Sequence, residues 1–233
     1  MKASSYGHLE ECVRRYPQLA GTLPSMRRAL EVLTGVFASG GQLLICGNGG
    51  SAGDALHITG ELMKGFILPR RLNERTAAAL AASCPDGAYL AEHLQGALSV
   101  RTLVAETSLI TAYANDVAGD LAFAQQVWGY GRAGDALLCL STSGNSDNVA
   151  YAAQAARFKG LATLAMTGAG GGRLSGLCDL CIAVPEREPY RVQELHLPVY
   201  HALCLALEEE FFGSEPRLER KFTVQAPDHV GLH

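Results

Sequence analysis

The 233-residue sequence lacks any apolar run of the roughly eighteen residues that a membrane-spanning helix requires. No signal peptide opens it, so we expect a cytoplasmic protein. Charge is also scarce, with Asp, Glu, Lys and Arg at 18% of the residues and a net charge of −4. Without a basic excess the chain has no electrostatic case for binding nucleic acid. The composition therefore argues against membrane and nucleic-acid partners.

Paired cysteine motifs are missing as well. The seven cysteines are odd in number and scattered, and several lie in apolar, strand-like runs, which is typical of reduced, buried thiols. Cys178 and Cys181 have CxxC spacing, but no second pair follows, so a place beside a strand is favoured over a zinc knuckle. With 48% hydrophobic residues, we expect one domain over 1–212 and a polar tail over 213–233.

A glycine-rich turn follows the first apolar run. Residues 43–46 predict a strand, and a helix through His57 is expected after the turn, whose residues are Gly47, Asn48, Gly49, Gly50 and Ser51. The glycines permit a tight turn and a close approach of the backbone to a ligand. The start of the helix would favour an anion such as phosphate, although a glycine-rich turn of this kind is often only a structural turn.

A second unit of the same kind lies farther along the chain. Residues 136–140 predict a strand, and an alanine-rich helix is expected over about 147–159. Between them stand four hydroxyl side chains, Ser141, Thr142, Ser143 and Ser146. In a parallel sheet both turns would open at the carboxyl ends of their strands, where such sheets bind ligands. The two units together favour a phosphate site.

The alternation of strands and helices predicts a doubly wound, mostly parallel α/β sheet of five strands. The expected strands are about 43–46, 108–114, 136–140, 161–166 and 180–184. Asn115 and Asp116 would follow the second strand at the ligand edge. Two helices before the first strand would cover the sheet or form a subunit interface. Residues 66–106, basic at their start and otherwise helical, are interpreted as an insertion of open role.

Two pairs of polar residues fall on predicted helices. His57 and Glu61 are four residues apart and share a helix face, as a functional pair or as a partly buried polar pair would. Gln193 and His201 lie on the last helix, expected over about 193–212 with a kink or a late start at Pro198. Their separation is roughly 12 Å of helical rise, so one metal could touch both only if the side chains lean together.

These residues in this order resemble the SIS (sugar isomerase) domain family, and more closely the phosphoheptose isomerases, over about residues 9–212 without 66–106. The resemblance implies the SIS fold, a homotetramer, and a phosphate held by Ser141, Thr142, Ser143 and Ser146. It also implies sugar contacts from Asn48, Gly49, Gly50, Ser51, Asn115, Asp116 and Gln193. Zinc is found in some members, and the matching ligand positions are His57, Glu61, Gln193 and His201. Glu61 and His201 match the pair assigned to proton transfer.

The activity implied by the resemblance is interconversion of sedoheptulose 7-phosphate and a heptose 7-phosphate aldose through an enediol. Such a reaction needs a base at carbon and an acid at oxygen, and zinc would stabilise an enediolate. A non-catalytic SIS protein of the replication-initiator-binding type is the alternative. A sugar-phosphate sensor is a third hypothesis, for which no helix-turn-helix is apparent.

Two departures from the family pattern concern the neighbourhood of Glu61. Gly65, with Lys64 beside it, stands where the family has an arginine, and the segment 66–106 is longer than its counterpart. Glu61 and His201 lie far apart in sequence with nothing local to join them. We therefore expect them to come from different subunits of a shared active site.

Overall fold

A five-stranded parallel sheet is the centre of the computed structural model, which describes residues 1–213. The strand order is β2-β1-β3-β4-β5, and every neighbouring pair is parallel. The strands are β1 Leu43–Gly47, β2 Val100–Thr102, β3 Ala136–Ser141, β4 Ala162–Thr167 and β5 Leu180–Ala183. Almost every strand position in β1, β3 and β4 is buried, as expected of a sheet covered on both faces. The predicted fold class is confirmed.

Ten α-helices accompany the sheet within residues 1–213. They are α1 Ala3–Arg15, α2 Leu23–Ala38, α3 Gly50–Met63, α4 Glu74–Ser83, α5 Gly87–His93, α6 Thr107–Tyr113, α7 Ala122–Tyr130, α8 Asp147–Phe158, α9 Leu174–Leu177 and α10 Pro189–Phe212. Short 3-10 turns cover Pro17–Thr22 and Gly119–Leu121, and a wider helical turn covers Ala114–Ala118. No helix in this part of the chain is long and apolar enough to cross a bilayer.

The two faces of the sheet carry separate cores because successive strand residues point to opposite sides. Leu43 and Ile45 pack with α1, α2, α3 and α10, whereas Leu44 and Cys46 pack with α7, α8 and α9. The apolar stripes of α1 and α2 are buried in the first core, including Leu9 at 0% exposure. The two N-terminal helices therefore cover their own fold.

The second predicted strand is wrong. Residues 107–113 form helix α6, whereas β2 lies earlier at Val100–Thr102 and pairs with β1 through Leu43 and Val100. A three-residue edge strand leaves too short an alternation to detect, and the apolar run after Thr107 belongs to a surface helix. The segment 66–106, expected to be helical after its basic start, is helical only as far as His93 and then supplies strand β2 of the sheet.

The last helix differs from its prediction in where it begins. Helix α10 starts at Pro189 rather than near Gln193, and it continues through Pro198 to Phe212. The Cys12 thiol of α1 donates to the Pro198 carbonyl at 3.4 Å. All seven cysteines are free thiols, and five of them are buried. Of the predicted tail, only Gly213 is described; residues 214–233 lie outside the described residues.

Candidate active site

The two predicted ligand turns lie side by side at the carboxyl edge of the sheet. Strand β1 neighbours β3, with Gly47 opposite Leu140, and the chain leaves these two strands toward opposite ends of the sheet. The amides of Asn48 and Asn148 exchange hydrogen bonds of 2.8 and 2.9 Å, which join the turns. This edge is the topological switch point, where α/β sheets bind ligands.

The loop after β3 presents its hydroxyls around a tight turn. Ser141 is buried, and its Oγ lies 3.0 Å from Ser146 Oγ. The backbone N–H of Asn145 donates to Ser143 Oγ at 3.1 Å. Gly144 has a φ of 68°, and a Cβ there would collide with the Gly171 carbonyl, so this position demands glycine.

A cavity of about 250 Å³ opens beside this loop. It is lined by Thr142, Ser143, Asn145, Gly170, Gly172 and Arg187. The hydroxyls, the amide and the guanidinium are all groups that hydrogen-bond phosphate oxygens. Sequence reasoning missed Arg187, whose only signal was a cation at the carboxyl end of the fifth strand. The serine loop and Arg187 together make an anion-accepting surface.

The loop after β1 forms a second cavity of about 240 Å³, whose polar lining includes Asn48 and Asn148. Gly49 takes a φ of 56° at the start of α3, and Ser51 in the first turn is buried. Asn115 and Asp116 do not follow a strand as expected but lie on the helical turn 114–118, hydrogen-bonded to each other at 2.8 Å. Residues on either side of that turn, Ile110 and Gly119, line this second cavity.

Helices α3 and α10 run parallel and pack along their length. The Gln193 amide lies against Gly50, where a Cβ would collide with it, and Tyr200 meets His57 two turns farther on. At that level His57 Nε2 lies 3.4 Å from Glu61 Oε1 and 3.4 Å from His201 Nε2. Three predicted site residues therefore meet around one imidazole nitrogen.

The other face of the His57 ring is held by a hydrogen-bonded chain. The Tyr200 hydroxyl donates to Asp54 Oδ1 at 3.3 Å, so it is free to accept at 3.0 Å from His57 Nδ1. With that hydroxyl hydrogen donated to Asp54, a proton on His57 Nδ1 faces Tyr200, and Nε2 is the ring nitrogen that faces Glu61 and His201. Tyr200 and Asp54, which sequence reasoning did not select, orient the ring.

The surroundings shift the pKa values of three groups here. Burial, and then the neighbouring His57, lower the pKa of His201, so its imidazole is neutral at physiological pH. Burial raises the pKa of the Asp54 carboxyl, partly offset by the Tyr200 hydrogen bond. Burial and Asp54 raise the pKa of Tyr200. A neutral imidazole beside a carboxylate can accept and return a proton.

Glu61 and His201 were expected to come from different subunits because nothing local joins them, and that premise is wrong. Both lie within one chain, each 3.4 Å from His57 Nε2, although His57 and His201 are 144 positions apart. The parallel packing of α3 on α10 supplies the proximity that the sequence did not reveal.

The predicted four-ligand metal site is not assembled. Gln193 lies beside Gly50, about 10 Å of helical rise before His57, so it does not join the other three. Glu61 and His201 approach His57 but not each other, and no group of three or more His, Cys, Asp or Glu side chains in residues 1–213 forms a metal site.

The glycine at the family's arginine position has a structural reason. Gly65 N donates to Gln95 Oε1 at 2.7 Å, and a Cβ on Gly65 would collide with the Leu68 carbonyl. The chain turns too sharply here for a side chain. Lys64 remains near Glu61, with its ammonium 3.3 Å from Glu61 Oε2.

The chain is similar in sequence to known proteins of one kind. Residues 90–168 match the SIS domain family. The phosphoheptose isomerase of Rhodospirillum rubrum is 39% identical over 192 residues, which are 82% of this chain and 89% of that protein. The phosphoheptose isomerase of Akkermansia muciniphila is 34% identical over 198 residues, or 85% of this chain and 92% of that protein.

A solved structure supports the same relationship. The phosphoheptose isomerase of Neisseria gonorrhoeae superimposes with a TM-score of 0.67 at 30% identity. The match covers 87% of this chain and 96% of that one. The agreement thus extends over nearly the whole of the relative's fold.

Proposed function

The chain belongs to the phosphoheptose isomerase family, and from this membership and the geometry of its site we propose that it is an aldose–ketose isomerase of sugar phosphates. The substrate that we propose is sedoheptulose 7-phosphate, converted to a heptose 7-phosphate aldose. One observation supports this most: the Glu61 carboxylate and the His201 imidazole each lie 3.4 Å from His57 Nε2.

The phosphate end of the sugar is assigned to the serine loop. The hydroxyls of Ser141, Thr142, Ser143 and Ser146 would donate to its oxygens at the start of α8. Arg187 supplies the one full positive charge in the lining of that cavity. Asn48, Gly49, Gly50, Ser51, Asn115, Asp116 and Gln193 are the proposed sugar contacts, the first four on the adjoining turn.

The reacting carbons are assigned to the helical pair. Glu61 would take the proton from C1 of the ketose while His201 or a water it holds protonates the carbonyl oxygen on C2. The enediol then returns its C1 hydroxyl proton to the deprotonated His201 or its water and takes a proton at C2 from Glu61, which gives the aldose. His57, oriented by the Tyr200 hydroxyl, lies 3.4 Å from each of the two groups. Each proton removed is returned, so the reaction is balanced.

Zinc is part of this proposal through His57, Glu61 and His201, since imidazole nitrogen and carboxylate oxygen are zinc ligands. His57 Nε2 lies 3.4 Å from each of the other two, but Glu61 and His201 do not contact each other and would have to move together to bind one ion with His57. When bound, the ion would stabilise negative charge on the sugar oxygens. Gln193 is the fourth predicted ligand and would need to leave Gly50 to take part.

A test uses the wild-type chain with a panel of five- to seven-carbon ketose and aldose phosphates in deuterated water. Isomerisation through an enediol should place deuterium at C2 of the aldose, seen as a lost proton signal by NMR. Glu61→Gln should abolish this incorporation. Binding of the panel without turnover or exchange would overturn the proposal and leave a non-catalytic, ligand-binding SIS protein.

A cytoplasmic homotetramer completes the proposal. Trp128 and Phe158 stack with ring centroids 6.0 Å apart and are 55% and 79% exposed, so the protomer has apolar surface for a subunit contact. Light scattering on the purified chain should give four times the monomer mass of 24.7 kDa. A monomer at micromolar concentration would contradict the assembly but not the chemistry.

A further inference from the structure

Arg70 is a fully buried arginine in a backbone conformation that side chains rarely adopt. Its side chain is 0% exposed and its φ is 47°, the one positive φ of a non-glycine residue in the described chain. Such conformations persist only when the surrounding structure enforces them, and they cluster at functional sites. The contacts of Arg70 show what enforces this one.

On one side Arg70 binds helix α10. Its Nε donates to Glu208 Oε1 at 2.7 Å, and the Glu208 side chain is also 0% exposed. The same carboxylate accepts three backbone N–H groups, from Phe66 at 2.7 Å, Ile67 at 2.8 Å and Leu68 at 3.2 Å. Glu208 is thereby fully hydrogen-bonded, and the turn after α3 is fixed to α10.

On the other side Arg70 binds the end of helix α3. Its Nη1 donates to the Leu62 carbonyl at 2.7 Å, and its Nη2 donates to the Glu61 carbonyl at 3.0 Å. These carbonyls belong to the last turn of the helix, where carbonyl groups have no hydrogen-bond partner within the helix itself. The guanidinium also lies 4.8 Å from the Phe212 ring centroid.

We propose that the buried Arg70–Glu208 pair is a positioning device that sets Glu61 against His201. One end of the pair holds the peptide group of Glu61 itself, and the other end is on the helix of His201, two turns farther along. Neither residue reaches the site, so both act through the placement of α3 on α10. The inference rests on the proposed isomerase function.

The Arg70–Glu208 pair differs in burial and hydrogen bonding from an exposed ion pair elsewhere in the protein. Arg157 and Asp179 are about half exposed and 4.0 Å apart, a geometry worth little. The planar guanidinium of Arg70 instead bridges a carboxylate and two carbonyls, which lysine cannot reproduce with one nitrogen. A small displacement of reacting groups costs about 10²-fold in rate, so loss of the bridge should be visible in turnover.

The test compares Arg70→Met combined with Glu208→Gln against the wild type and against Val127→Ala. Removing both charges avoids leaving one buried and unpaired. Val127 is fully buried on the opposite face of the sheet, so its variant reports general destabilisation. We expect kcat of the double variant to fall about 10- to 100-fold per folded molecule with KM nearly unchanged. Val127→Ala should keep the wild-type kcat.

A second readout does not depend on turnover. The ring proton signals of His57 and His201 should shift in the double variant and stay fixed in Val127→Ala, and amide hydrogen exchange over residues 57–63 should quicken. If the double variant fails to fold, Arg70→Lys takes its place, with a smaller loss of kcat. Wild-type kcat together with unmoved histidine signals would overturn the inference. An inactive wild type whose histidine signals still respond would overturn the proposed function and leave the positioning role standing.

Discussion

The loop half and the helical half of the candidate site are built on different principles. The loop half, at the ends of β1 and β3, offers backbone turns, hydroxyls and amides, with one exposed arginine in its lining. The helical half, where α3 packs on α10, brings together a carboxylate and two imidazoles supported by a buried ion pair. The first is suited to holding an anion and the second to moving protons.

The two halves of the site should respond differently to substitution. A loop that donates many hydrogen bonds loses affinity gradually as donors are removed, because each bond contributes separately. A pair that transfers protons loses rate steeply, because reactivity depends on the identity and placement of two groups. Variants in the loop half should therefore change KM, and variants in the helical half should change kcat.

The largest effect is expected from Glu61→Gln in the helical half. The amide keeps the shape of the carboxylate but removes its basicity, so kcat should fall about 10²–10⁴-fold. Steady-state kinetics with sedoheptulose 7-phosphate would measure this. Glu10→Gln is the matched control, since Glu10 forms an exposed pair with Arg27 and should leave kcat unchanged. A wild-type kcat in Glu61→Gln would remove the helical half from catalysis.

A second expected effect concerns stability rather than rate. Burial lowers the pKa of His196, on α10, from 6.5 to about 4. Between these two pKa values the folded state binds fewer protons than the unfolded state. The free energy of unfolding should therefore decrease as the pH falls from 6.5 to 4, by about 3 kcal/mol over the whole range.

Urea denaturation at pH 7 and at pH 4.5 would measure this loss, and His196→Gln should reduce it. His93→Gln, at an exposed position of α5, is the control and should leave the pH dependence unchanged. An identical acid loss in His196→Gln and the wild type would show that other groups, such as His201, account for it.

The loop half is tested by Ser141→Ala combined with Ser143→Ala. Removing two donors to a charged phosphate should raise KM for the sugar phosphate about 10- to 100-fold while kcat changes little. Binding of the unphosphorylated sugar, measured by calorimetry, should be unaffected. Equal losses for both ligands would mean that the phosphate lies elsewhere.

The smallest effect is expected from Arg187→Gln. An exposed cation contributes modestly and is screened by salt, so KM should rise only about threefold to tenfold at low ionic strength. The difference from wild type should shrink in 0.5 M salt, about five times the ionic strength at which the Debye length is 10 Å. Arg132 lies on the loop before β3, at the end of the sheet opposite to the site, so Arg132→Gln should show no such change in KM.

Sequence patterns were sufficient to predict those parts of the site whose arrangement depends only on neighbouring residues in the chain. The glycine turn at Asn48, the hydroxyl run from Ser141 and the His57–Glu61 spacing were all predicted, because each is fixed by neighbours in the chain. The strand at Val100 was missed because three residues give too little alternation. Tyr200, Asp54 and Arg187 were missed because nothing in their own neighbourhood distinguishes them, and their roles arise from contacts across the fold.

The parallel contact of α3 with α10 also governs when the reaction centre can first exist. His57 and His201 are separated by 144 positions, and α1 at the beginning of the described chain packs on the same C-terminal helix. Closing so long a loop is slow, because the chain loses conformational entropy before the contacts between α3 and α10 can stabilise it. The proton-transfer pair can therefore form only after α10, at the C-terminal end of the described chain, has been synthesised and has docked on α3.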